Sequence, residues 1–142
     1  MVSNNEINTC GGSGIVSYTS DPGISSLTVD ISDNTITNCS NSNGDSASGI
    51  SLAQYLALAG SITNNTLSGN INPAVAVDSA LSNPTVCLTF NGNDNSVDYN
   101  LTNPPGGTFR LTPCGAVNTG TINRTGTIDS VQSCADPIVC PP

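Results

Sequence analysis

Two stretches, Ile31-Ser32-Asp33-Asn34-Thr35-Ile36 and Ile62-Thr63-Asn64-Asn65-Thr66-Leu67, share one pattern: an aliphatic residue, then Asn three positions on, then a second aliphatic residue two further. Related copies flank them at Asn5-Glu6-Ile7 and Asn95-Ser96-Val97. The four Asn, Asn5, Asn34, Asn65 and Asn95, are separated by 29, 31 and 30 positions. Val2, Ile31 and Ile62 stand three residues before the first three, and Gly92 takes that place in the last copy. A recurrence at this period marks a repeat architecture, in which each unit buries its apolar face against its neighbours.

Each interval carries further short apolar stretches. Gly14-Ile15-Val16, Gly49-Ile50-Ser51-Leu52, Val75-Ala76-Val77 and Phe109-Arg110-Leu111 follow the four Asn in turn. Leu27-Thr28-Val29, Gly60-Ser61-Ile62 and Val86-Cys87-Leu88 then lead into the next copy. Turn formers of varying length separate them, among them Asp21-Pro22-Gly23, Asn41-Ser42-Asn43-Gly44-Asp45, Asn72-Pro73, Asn83-Pro84 and Pro104-Pro105-Gly106-Gly107. Three short strands per period is the arithmetic of an all-β solenoid of about four to five coils, roughly 30 residues each. A β-sandwich also spaces strands closely, but does not call for four in-phase copies of Asn-x-apolar. Asn tolerates left-handed backbone angles at a sharp bend, and amides stacked coil on coil satisfy one another. Asn5, Asn34, Asn65 and Asn95 are therefore read as a bend ladder.

Composition narrows the function. Charged residues are 8% of the 142, with nine Asp and one Glu against Arg110 and Arg124, no Lys and no His, a net charge of −8. Nucleic acid, which is bound through a basic surface, is excluded as a partner, and anionic membrane surfaces are disfavoured. No apolar run is long enough to span a bilayer, so membrane insertion is not expected. The start, Met1-Val2-Ser3-Asn4-Asn5-Glu6, has neither the basic nor the apolar region of a signal peptide. It opens inside a motif, so further coils are expected upstream, with the open end pairing with them or with a second copy.

The repeats at 31–36 and 62–67 resemble those of right-handed parallel β-helix proteins. The stretch from Val86-Cys87-Leu88-Thr89-Phe90-Asn91-Gly92-Asn93 through Phe109-Arg110-Leu111 resembles the closing coils of large, adhesin-like bacterial surface β-helix proteins. The likeness covers most of residues 2–111. It implies a right-handed parallel β-helix over residues 1–115 and a C-terminal cap or linker over 116–142, where Thr119-Gly120-Thr121-Ile122 and Thr125-Gly126-Thr127-Ile128 precede a Cys/Pro-rich end. It further implies an extracellular or cell-surface structural or adhesive segment of a larger protein, with a glycan or host surface protein as partner. β-Helices host unrelated roles, so the likeness speaks to fold more than to function.

The residues themselves offer little catalytic chemistry. A His-containing triad or zinc site is impossible without His. The acids, Glu6, Asp21, Asp30, Asp33, Asp45, Asp78, Asp94, Asp98, Asp129 and Asp136, lie mostly in turn clusters. None recurs in phase as the carboxylate pair that glycan hydrolysis needs. No enzyme activity and no cofactor are expected. Two alternatives stand beside the structural reading: a carbohydrate-binding or polysaccharide-cleaving β-helix, and an ice-binding one. Against ice binding, the positions after each bend Asn read Glu6, Thr35, Thr66, Ser96, which is not a Thr ladder. Asn93, Asp94 and Asp98, with Asn91 and Asn95 near them, are weak calcium candidates, since the Gly and Glu of a calcium loop are missing. Asn-x-Ser/Thr sequons occur at Asn38, Asn64, Asn100 and Asn123.

Six Cys with no metal motif point to an oxidising compartment. Cys10 and Cys39 each lie five residues after their bend Asn, which stacks them on neighbouring coils about 4.8 Å apart. A disulfide and two packed thiols are both open readings there. Cys87 with Cys114, and Cys134 with Cys140, are the remaining pairs drawn.

Overall fold

A computed structural model of the chain describes residues 1–18, 26–41, 43–44, 47–53, 57–69, 71, 73–78, 83–95, 98–113 and 121–130. The described residues form strands and turns and no helix. In chain order the strands are β1 (Val2–Ser3), β2 (Glu6–Asn8), β3 (Ile15–Tyr18), β4 (Ser26–Ser32), β5 (Thr35–Thr37), β6 (Ile50–Ala53), β7 (Ala57–Thr63) and β8 (Thr66–Ser68). They continue with β9 (Val75–Asp78), β10 (Thr85–Asn91), β11 (Asp94–Asn95), β12 (Tyr99–Thr102), β13 (Thr108–Pro113), β14 (Ile122–Thr125) and β15 (Asp129–Ser130).

Three sheets result, ordered β1-β4-β7-β10-β13-β15, β2-β5-β8-β11 and β3-β6-β9-β12-β14. Every strand pairing is parallel. From β1 to β12 successive strands visit the first, second and third sheet in turn, so like residues fall in line; β13, β14 and β15 then lie in the first, third and first sheets. Leu27, Leu58, Val86 and Phe109 form one inward row of the first sheet, and Ile31, Ile62 and Phe90 another, with the exposed Val2 in line with Ile31. The second sheet lines up Ile7, Ile36 and Leu67. The third lines up Ile15, Ile50, Val75, Tyr99 and Ile122. Side chains alternate across each strand, and these rows meet in one core. Phe90 and Tyr99, both fully buried, stack there with ring centroids 5.3 Å apart.

Left-handed residues make the bends between the first and second sheets. Asn4, Asp33, Asn64 and Gly92, with φ of 56°, 57°, 55° and 63°, each stand just before a ladder position. Asn and Asp enter this region more readily than other side chains, and Gly enters it freely. Gly60 has a different cause. At φ 133° it lies over the backbone of Val29, and a Cβ there would run into the Val29 carbonyl.

Two expectations are corrected. Phe109-Arg110-Leu111 is not the fourth strand of the third sheet; that strand is Tyr99–Thr102, and Phe109 to Leu111 lie in β13 of the first sheet. The reason is a shortening period: Ile62 pairs with Phe90, 28 residues on, and Phe90 with Pro113, only 23 on. The strand layers also run past residue 115, because β14 and β15 extend the third and first sheets. The rest of the 116–142 segment lies largely outside the described residues. No described helix is long and apolar enough to cross a membrane.

Candidate functional site

The most developed polar arrangement is the amide ladder at the first bend. Asn34, Asn65 and Asn93 are buried, at 1%, 0% and 0% exposure. Asn5 opens the series at the exposed end. The Asn5 backbone N–H and Nδ2 both donate to Asn34 Oδ1, at 3.1 and 2.9 Å. Asn34 does the same to Asn65 Oδ1 at 3.1 and 2.9 Å, and Asn65 to Asn93 Oδ1 at 3.1 and 2.9 Å. Each interior Nδ2 also reaches a backbone carbonyl of the preceding segment: Val2 from Asn34, Ile31 from Asn65 and Ile62 from Asn93. A bend that leaves backbone groups turned inward thus has them satisfied by side chains, as burial demands.

The fourth rung is Asn93, not Asn95. Asn95 pairs with Leu67, so it stands where the earlier copies carry an aliphatic residue. Val97, two residues after Asn95, made that Asn look in phase. The true copy keeps the upstream aromatic Phe90, three residues before Asn93, with Gly92 at the left-handed position. Those two signals identify the rung from sequence once they are weighed above the downstream Val.

The calcium candidates are not brought together as a ligand set. Asn93 is buried with its Oδ1 already accepting from Asn65, whereas Asp94 is exposed. Asp98 stands before β12 of the third sheet, its two oxygens accepting from the Thr121 N–H at 2.9 Å and Asn123 Nδ2 at 3.3 Å. Those bonds, the Thr121 backbone one foremost, hold its carboxyl below the usual 3.8 against a partial offset from desolvation. Among the described residues no three His, Cys, Asp or Glu gather as a metal site.

Other acids also serve neighbouring strands. Asp30 accepts from the Ser61 hydroxyl at 3.2 Å, and Asp33 from Asn64 Nδ2 at 3.3 Å. Asp21, Asp45 and Asp136 lie outside the described residues. The four sequon Asn, Asn38, Asn64, Asn100 and Asn123, are all exposed.

Cys10 and Cys39 form a disulfide with Cα atoms 4.5 Å apart, joining the first two segments beside the second sheet. The equal offset of both residues from the ladder is what sets them side by side. Cys87 is disulfide-bonded as well; Cys114, Cys134 and Cys140 lie outside the described residues.

Clefts open at both ends of the described residues. One, about 190 Å³, opens at the N-terminal end between Val2, Ile15, Leu27, Val29 and Leu52. The other, about 550 Å³, lies between the Pro104–Gly107 turn and Thr125 to Thr127. At the second, Asn103 is 4% exposed. Its Nδ2 donates to the Gly107 and Thr127 carbonyls, and its Oδ1 is buried without a hydrogen-bond partner. Sequence reading passed over Asn103, since no other copy of the repeat repeats it. No family model, no curated protein and no solved structure matches this chain.

Proposed function

We propose that the chain is a right-handed parallel β-helix of about four to five coils that acts as a structural or adhesive segment of a larger secreted or cell-surface protein of bacterial type, without catalysis. The observation that carries this reading is the ladder from Asn5 to Asn93, where the buried amides bond along the stack and to the backbone. Polar chemistry is spent on keeping parallel strands in register, which suits a stiff spacer presenting polar outer faces. The Cys10–Cys39 disulfide suits an oxidising compartment. The partners on this reading are further β-helix coils at the N-terminal end and a glycan or host surface protein along the exposed faces.

A glycan array probed with the purified chain, paired with product analysis of each glycan bound, tests it. Binding without turnover is the expected result for an adhesive segment, and neither binding nor turnover for a pure spacer. Cleavage of any glycan overturns the reading.

A further inference from the structure

The last two described corners from the third sheet to the first lie one above the other. Residues 103–107 join β12 to β13, and residues 126–128 join β14 to β15. Because β12 pairs with β14 and β13 with β15, the two turns are neighbours, and the cleft of about 550 Å³ opens between them.

Asn103 lines this cleft at 4% exposure. Its backbone N–H donates to the Thr125 carbonyl at 2.8 Å. Its Nδ2 uses both protons, on the Gly107 carbonyl at 3.0 Å and the Thr127 carbonyl at 2.6 Å. Its Oδ1 is buried, and no donor reaches it. Turning the amide over gives no remedy, because Oδ1 would then face two carbonyls. The buried rungs of the ladder make the contrast: the Oδ1 atoms of Asn34, Asn65 and Asn93 each accept two bonds. Among the described residues, Asn103 Oδ1 is the buried side-chain oxygen or nitrogen left without a partner, and such a group calls for a partner of its own.

The missing partner is a donor, and the walls of the cleft say of what kind. Oδ1 lies against Gly107, which also lines the cleft, and a Cβ on Gly107 would run into Oδ1. A donor arriving from the cleft therefore meets backbone at that point and no side chain. The described lining is threonine, proline, glycine and Asn103, with no ionisable group. A calcium ion finds no carboxylate there, and an anion finds no cation. The exposed Thr125 and Thr127 offer hydroxyls that both donate and accept, while the Pro104 and Pro105 rings form an apolar wall. An uncharged molecule with many hydroxyls and a C–H face matches all of these, and the volume lies within the roughly 300–1,000 Å³ of small-molecule sites.

We propose that this corner cleft binds a neutral sugar, one hydroxyl of which donates to Asn103 Oδ1. The proposal rests on the adhesive reading above and gives its glycan partner a place and a chemical class.

The test is an NMR titration of the isotopically labelled full chain with maltose, lactose and N,N′-diacetylchitobiose. At least one of them is expected to shift the amides of Gly106, Gly107, Gly126 and Thr127 saturably, with a Kd of about 1–10 mM. The Asn103 side-chain carbonyl carbon is expected to move with them, and added salt to leave the Kd unchanged, since no charge takes part. Thr125→Val with Thr127→Val keeps the shape of both exposed side chains and is expected to weaken binding about fivefold or more. Gly107→Ala places a methyl group against Oδ1 and is expected to abolish binding. If G107A does not fold, the double threonine variant carries the comparison. Binding in the cleft that leaves the Asn103 carbonyl carbon unmoved, or equal affinity in the threonine variant, would overturn the proposal. So would a long-lived water beside the Asn103 amide that persists at saturating sugar, because solvent would then be the missing donor. Saturable shifts confined to residues outside the cleft overturn the site and leave the adhesive reading standing. No shift with any sugar overturns the site, and a glycan array without binding then removes the adhesive reading as well.

Discussion

Replacing Asn65 by Ala removes the middle of the amide ladder. Asn65 is fully buried. Its Oδ1 is the acceptor for the Asn34 N–H, and its Nδ2 serves Asn93 Oδ1 and the Ile31 and Thr63 carbonyls. The substitution strands the Asn34 N–H inside the stack, at about 1–3 kcal/mol. The other lost bonds add about 0.5–1.5 kcal/mol each in net terms, part of which survives because the Asn65 N–H still reaches Asn93 Oδ1. The total is about 3–5 kcal/mol, a large share of the roughly 5–15 kcal/mol that holds a domain folded, and corresponds to a fall in Tm of about 10–15 °C. Asn5→Ala is the matched control. Asn5 is exposed, its backbone N–H bond to Asn34 is retained, and the expected loss is below about 1 kcal/mol. Urea denaturation of both variants under non-reducing conditions makes the comparison. Losses that agree within about 1 kcal/mol would refute the ladder as the source of stability.

Three further outcomes are expected. The Cys10→Ala/Cys39→Ala variant opens a loop spanning 29 residues and loses about 3–4 kcal/mol on the chain-entropy model, measured by the same denaturation. Gly60→Ala places a Cβ against the Val29 carbonyl at φ 133°, and the resulting strain lowers stability by about 1–3 kcal/mol; an unchanged urea midpoint would show that the backbone yields. Asp98 is held below 3.8, chiefly by the Thr121 N–H. A depressed carboxylate stabilises the fold above its unfolded pKa and loses that contribution as pH falls through the folded one. Stability should therefore fall on acidification below about pH 3.8, and Asp98→Asn should flatten part of that slope in a pH series of thermal melts.

The repeat was legible where each copy obeyed one physical rule at a time. Ile31, Asn34 and Ile36 align with Ile62, Asn65 and Leu67 because the strands on both sides of that bend are regular and in register. The last copies broke the reading because loop length, not strand pattern, changed: the step from Ile62 to Phe90 lost residues, and the next lost more. With a fixed period assumed, Val97 drew the ladder to Asn95. The backbone instead fixed Asn93, through the left-handed Gly92 before it. Cys10 and Cys39 were legible as neighbours because equal offsets from a stacked residue become equal positions on adjacent strands.

The most direct test of the stack is the hydrogen-bond network read by NMR in an isotopically labelled chain, through scalar couplings across each bond. The expected couplings run from the Asn5 N–H to the Asn34 side-chain carbonyl, from Asn34 to Asn65 and from Asn65 to Asn93. A coupling from the Asn65 N–H to any other acceptor, or none along the series, would contradict parallel segments stacked in this register.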